Sequence, residues 1–68
     1  MMSLRKINAA LAAAGIEATL ARGKGYFYFV GPKADLWPTS SVMVCYLNQL
    51  TIRQWVEAYR ELESHSQL

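Results

Sequence analysis

Residues 24–30 read KGYFYFV, with Tyr26, Phe27, Tyr28 and Phe29 in succession. A run this rich in aromatics favours a strand, because large flat side chains fit a pleated, half-buried surface. Successive strand side chains point to opposite faces. Phe27 and Phe29 therefore share one face, and Tyr26, Tyr28 and Val30 share the other. The phenylalanines read as the floor of a core. The tyrosines pair an apolar ring with a polar tip, which suits a face that is exposed or covered by a partner.

Moving outward, residues 16–22, IEATLAR, also alternate: Ile16, Ala18 and Leu20 on one side, Glu17, Thr19 and Ala21 on the other. Gly23, Lys24 and Gly25 lie between the two runs, and glycine tolerates the positive φ that tight turns use. An antiparallel hairpin is expected. Beyond it, residues 31–40, GPKADLWPTS, form a loop in which Pro38 pushes Trp37 away from helical geometry. Residues 41–47, SVMVCYL, are apolar and β-branched enough for a third strand. Its faces would be Val42, Val44, Tyr46 and Met43, Cys45, Leu47.

Helices are expected at both ends. Ser3 can cap a helix over residues 4–14, where Leu4, Ile7, Leu11 and Ala14 make one stripe. Gly15 followed by Ile16 is the chemistry of a left-handed C-cap. Residues 50–55, LTIRQW, carry a helix start: Thr51 as N-cap, Gln54 completing a capping box, Leu50 and Trp55 as a hydrophobic staple. Ile52, Trp55, Val56, Tyr59 and Leu62 then line one face, Arg53 and Glu57 make an i,i+4 pair, and residues 64–68 read as a frayed tail. The expected fold is α+β and two-layered: a three-stranded antiparallel sheet flanked by N- and C-terminal helices, in the order α-β-β-β-α, as one domain over residues 1–68.

A chain of 68 residues buries only ~60% of its unfolded surface on folding. Cys45 is the single cysteine and His65 the single histidine, so neither a disulfide within the chain nor a four-ligand zinc site can staple it. Packing, helped by a hydrophobic content of 53%, or self-association must hold it together. A formal net charge of +2 is small for a dedicated DNA binder. No apolar run nears the ~20 residues of a membrane span. The opening MMSLRKINAALAAAG has basic residues and alanines like a signal peptide, but Asn8 interrupts it and its helical spacing fits an amphipathic helix better. A cytoplasmic protein with no membrane contact is expected, and a lone cysteine suits a reducing compartment.

No catalytic constellation is legible. His65 lies in the expected tail, where a general base would not be held in place. Cys45, among apolar neighbours, reads as a small core hydrophobe rather than a reactive thiol. Glu17, Asp35, Glu57, Glu61 and Glu63 have no spacing that forces two of them into one pocket. The glycines lack the strand–loop–helix context of a phosphate loop. The expectation is a non-enzymatic protein with no cofactor and no metal.

The residues that invite a partner are Tyr26 and Tyr28, joined by Tyr46 if strand register allows and by Trp37 if it is exposed, with Arg22 and Lys24 as a basic edge at the hairpin tip. Tyrosine and tryptophan are enriched at interfaces, so a protein partner or a second copy of the chain is the first expectation. Trp37 has two readings, a ring folded back on the core or an exposed contact. The alternative partner is single-stranded nucleic acid, with bases stacked on the tyrosines and phosphates met by Arg22 and Lys24. KGYFYFV resembles the aromatic strand signature of RNA-recognition-motif domains at Lys24, Gly25 and Tyr26. It departs from that signature at Phe27, where Gly or Ala is usual, and at Tyr28, where Phe is usual; the second signature strand and the β-α-β-β-α-β order are absent. A wider resemblance covers most of the chain. GYFYFVG, WPTSSVMVCYLNQLT and QWVEAY are similar to segments of small proteins of phages and prophage-bearing proteobacteria. That resemblance implies a cytoplasmic accessory protein of a mobile element, one that acts by binding a host or phage macromolecule. It brings no activity and no binding residue.

Overall fold

Ser3 has extended backbone geometry, and its hydroxyl accepts from the Lys6 amide at 3.3 Å. Helix α1 accordingly runs Leu4–Ala13 in the computed structural model, which describes residues 2–66 of the chain. It ends as the glycine predicts. Gly15 takes φ +77°, its amide donates to Ala12 O (3.0 Å), and the Ile16 amide donates to Leu11 O (3.0 Å). These two bonds satisfy carbonyls that a helix end leaves open. They also commit the Ile16 amide to the helix, so strand β1 starts later than the alternation suggests, at Thr19–Arg22.

Strand β2, Phe27–Val30, pairs antiparallel with β1, with Leu20 opposite Phe29 and Arg22 opposite Phe27. Gly25 at φ +82° and a bond from the Gly23 amide to Tyr26 O (2.8 Å) shape the connecting turn. Strand β3 pairs antiparallel with the other side of β2, giving the order β1-β2-β3. It is much shorter than the seven residues expected: only Ser41–Val42 join the ladder. Phe27 faces Val42, so Met43 and the residues after it would have to pair with the hairpin turn, where β2 has already ended. The chain turns instead, with the Val44 amide donating to Val42 O (3.0 Å). The amides of Cys45 and Tyr46 both donate to Gln49 Oε1 (2.8 and 2.9 Å) ahead of a 3-10 turn at Leu47–Gln49. Cys45 is exposed, not the core hydrophobe expected of a mid-strand cysteine; with Ser41 opposite Tyr28, odd-numbered residues of this segment lie on the side away from the core.

Helix α2, Ile52–Ser66, opens with the reciprocal capping box. The Gln54 amide donates to Thr51 Oγ1 (3.1 Å), and the Thr51 amide donates to Gln54 Oε1 (2.9 Å). Residues 64–66 belong to this helix rather than to a frayed tail, and His65 stands 3.8 Å from Glu61 one turn back; residues 67–68 of the expected tail lie outside the described residues. Ile52, placed on the core face by its spacing, is 36% exposed because the apolar stripe centres on Trp55 and Tyr59.

Both helices cover the same face of the sheet. Ile7 and Leu11 of α1 and Trp55 and Tyr59 of α2 close on Leu20, Phe27 and Phe29, forming a two-layer α+β domain with a single core. Phe27 meets Trp55 edge to face (centroids 5.5 Å, 74°), and Phe29 meets Tyr59 in the same way (5.3 Å, 80°). The indole N–H of Trp55 donates to Leu47 O at 3.0 Å, tying the 3-10 turn to α2.

One polar residue of α1 faces the sheet. Asn8 Oδ1 accepts from the Leu20 amide at 2.7 Å, and its Nδ2 donates to Leu20 O at 3.5 Å. Leu20 lies on the outer strand of the sheet, so these are backbone groups that no further strand serves. Replacing Asn8 with alanine leaves them without that partner in a part-buried setting. A loss of about 1–3 kcal/mol is expected in urea unfolding; an unchanged midpoint would show that water replaces the side chain at no cost.

Candidate functional site

The outer sheet face follows from the register. Ala21, Tyr28 and Ser41 lie side by side across the three strands, and Thr19 is opposite Val30. Among the described residues neither α1 nor α2 covers this face, and Val30 is 40% exposed. Tyr28 is half-buried by its neighbours, as is Tyr26 just before β2. The two rings lie 5.9 Å apart, tilted by 41°. Gly23 makes their arrangement possible: a Cβ there would fall 2.5 Å from Tyr26 Cζ, so the tyrosine ring lies flat over the glycine.

The six residues singled out from the sequence do not form one cluster. Tyr26 and Tyr28 come together on the outer face, and Lys24 is exposed in the turn beside them. Arg22 belongs to the opposite face. It shares the side of its ladder partner Phe27, and its guanidinium carbon lies 5.2 Å from the centre of that ring, capping the end of the core. Tyr46, 69% exposed, follows the point where β3 ends and lines a shallow hollow with Arg22, Met2 and Leu47. It was expected on the tyrosine face if strand register allowed, and the register does not: Val42 lies opposite Phe27, so even-numbered residues of this segment belong to the core side, and β3 ends before Tyr46.

Trp37 resolves between its two readings by taking part in both. Its backbone is extended (φ −78°, ψ 149°), as a residue before proline requires, and its amide closes a 3-10 turn by donating to Ala34 O at 3.1 Å. The ring is half-buried and packs on Tyr59 (centroids 5.0 Å). It also walls a groove of about 690 Å³ that reaches Tyr28 and Val30 on one side and Pro38 and Asp35 on the other. Sequence reasoning missed Asp35 and Pro38 as wall residues. The available signal was the Trp-Pro pair in a loop that must return from the end of β2 to the start of β3, alongside the tyrosine strand.

A second cleft, about 320 Å³, lies where α1 ends against α2, with Glu17, Lys33, Arg60 and Glu63 around Tyr59. Lys33 Nζ and Glu63 Oε2 are 3.9 Å apart, so charges of both signs offset one another there. Tyr59 is 3% exposed. Burial first, then the carboxylates of Glu63 and Glu17, push its phenol above the ordinary value of 10.0. Among the described residues no three His, Cys, Asp or Glu side chains gather as metal donors, and no helix is long and apolar enough to cross a membrane. No protein-family model, curated protein or solved structure matches the chain.

Two outcomes follow from this geometry. Gly23→Ala places its methyl inside the Tyr26 ring and should swing that ring away from Tyr28, changing the near-ultraviolet circular dichroism of tyrosine while the fold persists; an unaltered spectrum would deny the contact. A phenol raised in the folded state contributes stability that is fully present below its unfolded pKa and is lost as pH climbs through the folded value. Stability in urea should therefore fall as pH rises above about 10, and Tyr59→Phe should flatten that fall.

Proposed function

We propose that the protein is a non-enzymatic interaction module whose tyrosine face and adjoining groove receive a protein partner. The observation that carries this reading is the Tyr26–Tyr28 pair, rings 5.9 Å apart on the sheet face that the helices leave uncovered, continuous with the Trp37 groove. Large aromatic rings bury area at low entropic cost and dominate binding energy when they sit near the centre of an interface. Such a role agrees with the resemblance to accessory proteins of phages and prophages, which would place the chain in a cytoplasm.

Nucleic acid is the weaker reading, for an electrostatic reason. A single-strand binder needs cations beside its stacking rings. Arg22 stands over Phe27 on the other face, which leaves Lys24 at the turn, and Asp35 lines the groove that continues from Tyr28.

Selection of a random peptide library against the folded chain, followed by amide chemical-shift mapping, tests the proposal. Selected peptides should move the signals of Tyr26 and Tyr28, and Tyr28→Ala should weaken them by about tenfold or more, with little dependence on salt. Light scattering on the free chain shows whether a second copy takes the face. Peptides that map only to α2, or a face that answers solely to single-stranded oligonucleotides with a steep salt dependence, would overturn it.

A further inference from the structure

Resting on that reading, the geometry points to the class of partner: a proline-rich segment in the polyproline II conformation, carrying a basic residue at its flank, seated in the groove between Tyr28 and Trp37. Three features of the groove converge on this occupant.

The first is shape. Tyr28 from β2 and Trp37 from the following loop supply aromatic walls to a groove of about 690 Å³, and Pro38 adds a rigid apolar surface. A polyproline II helix repeats every three residues, about 9 Å along its axis, and is already ordered before it binds. Its ring ridges fit aromatic-lined grooves at a low entropic cost, which matters for a surface as small as this one. A partner strand would need a long free edge instead, and the border this groove reaches, β3, offers only Ser41–Val42.

The second is hydrogen bonding. The two indoles of the chain differ. Trp55 Nε1 donates to Leu47 O inside the core. Trp37 Nε1 has no partner among the described residues, yet it is not sealed from solvent. Tyr28 Oη is in the same position, and Ser41 brings a further hydroxyl to the groove. The lining residues thus carry donors that no described residue of the chain uses. A proline-rich segment has the complementary character: its carbonyls are unpaired acceptors, and its prolines have no N–H of their own.

The third is charge. Asp35 is the charged side chain among the described lining residues, and its Oδ1 is engaged only by a long bond from the Gly31 amide, at 3.4 Å. A carboxylate at the groove favours an arginine or lysine beside the prolines and disfavours phosphate.

The test titrates the full chain with deca-proline, deca-proline flanked by arginine, a glycine–serine peptide of the same length and charge, and oligothymidine. The readouts are tryptophan fluorescence and the indole N–H signal of Trp37, with that of Trp55 as an internal control. The arginine-flanked proline peptide should bind and move the Trp37 indole signal; deca-proline should bind several-fold more weakly, and the glycine–serine peptide not measurably. Asp35→Asn, which keeps an oxygen for the Gly31 amide, should bring the flanked peptide down to the affinity of deca-proline. Trp37→Phe should cost about tenfold. A silent Trp37 indole at ~1 mM flanked peptide, equal binding of the glycine–serine peptide, or displacement of the proline peptides by oligothymidine overturns the inference. So does a library selection that yields proline-free peptides on Tyr28, an outcome that leaves the interaction surface itself standing.

Discussion

The structure depends on two aromatic contacts made in parallel. Phe27 and Phe29 are two residues apart on a strand, a rise of about 6.8 Å. Trp55 and Tyr59 are four residues apart on a helix, a rise of about 6 Å. The near match lets each phenylalanine meet its own partner edge to face, Phe27 on Trp55 and Phe29 on Tyr59. One contact would fix a distance between α2 and the sheet; two fix its position along the strand as well. Once Phe27 and Phe29 are committed to the helices, the pleat leaves Tyr26 and Tyr28 no choice of side.

The same contacts join the core to the surface. Tyr59 packs against both Phe29 and Trp37, so the wall of the groove leans on the core. Trp37 is further held by the turn at Ala34–Leu36, in which Ala34 is buried. A preorganised wall limits the ordering that a ligand must impose, which is a leading cost of binding to a small surface.

Local signals read directly from the sequence where one residue type answers one backbone need. Ser3, Gly15, Thr51 and Gln54 each act at the helix end where their chemistry places them. The faces of β2 were equally legible, because a one-residue slip would have put phenylalanine in water. The third strand was not. Residues 41–47 have strand composition throughout, but ladder length is set by how much of β2 remains to pair with, and Phe27 is its first residue. Two expectations fell with that strand and its register: Ser41 beside Tyr28 puts odd-numbered residues on the outer side and even-numbered ones on the core side, against Cys45 as core and Tyr46 on the tyrosine face. Arg22 was misassigned differently. It was grouped with Lys24 by nearness in sequence, although the alternation that separates Leu20 from Ala21 also puts Arg22 on the Leu20 side. Asn8 carried no sequence signal for its role, since its partner Leu20 lies twelve residues on and in another element.

Asn8 has a consequence for how the protein can assemble. An open sheet has two borders, and either can template another strand. Here the β1 border is occupied at Leu20 by a side chain from α1, while the β3 border is a ladder of two residues, Ser41–Val42. Propagating a fibril requires both borders to be long and open, one to receive and one to offer. This domain has neither. A chain with four large aromatics on three short strands and their turn would otherwise be prone to polymerise. The docked amide and the truncated strand let it keep a sticky face while remaining closed to growth along the sheet.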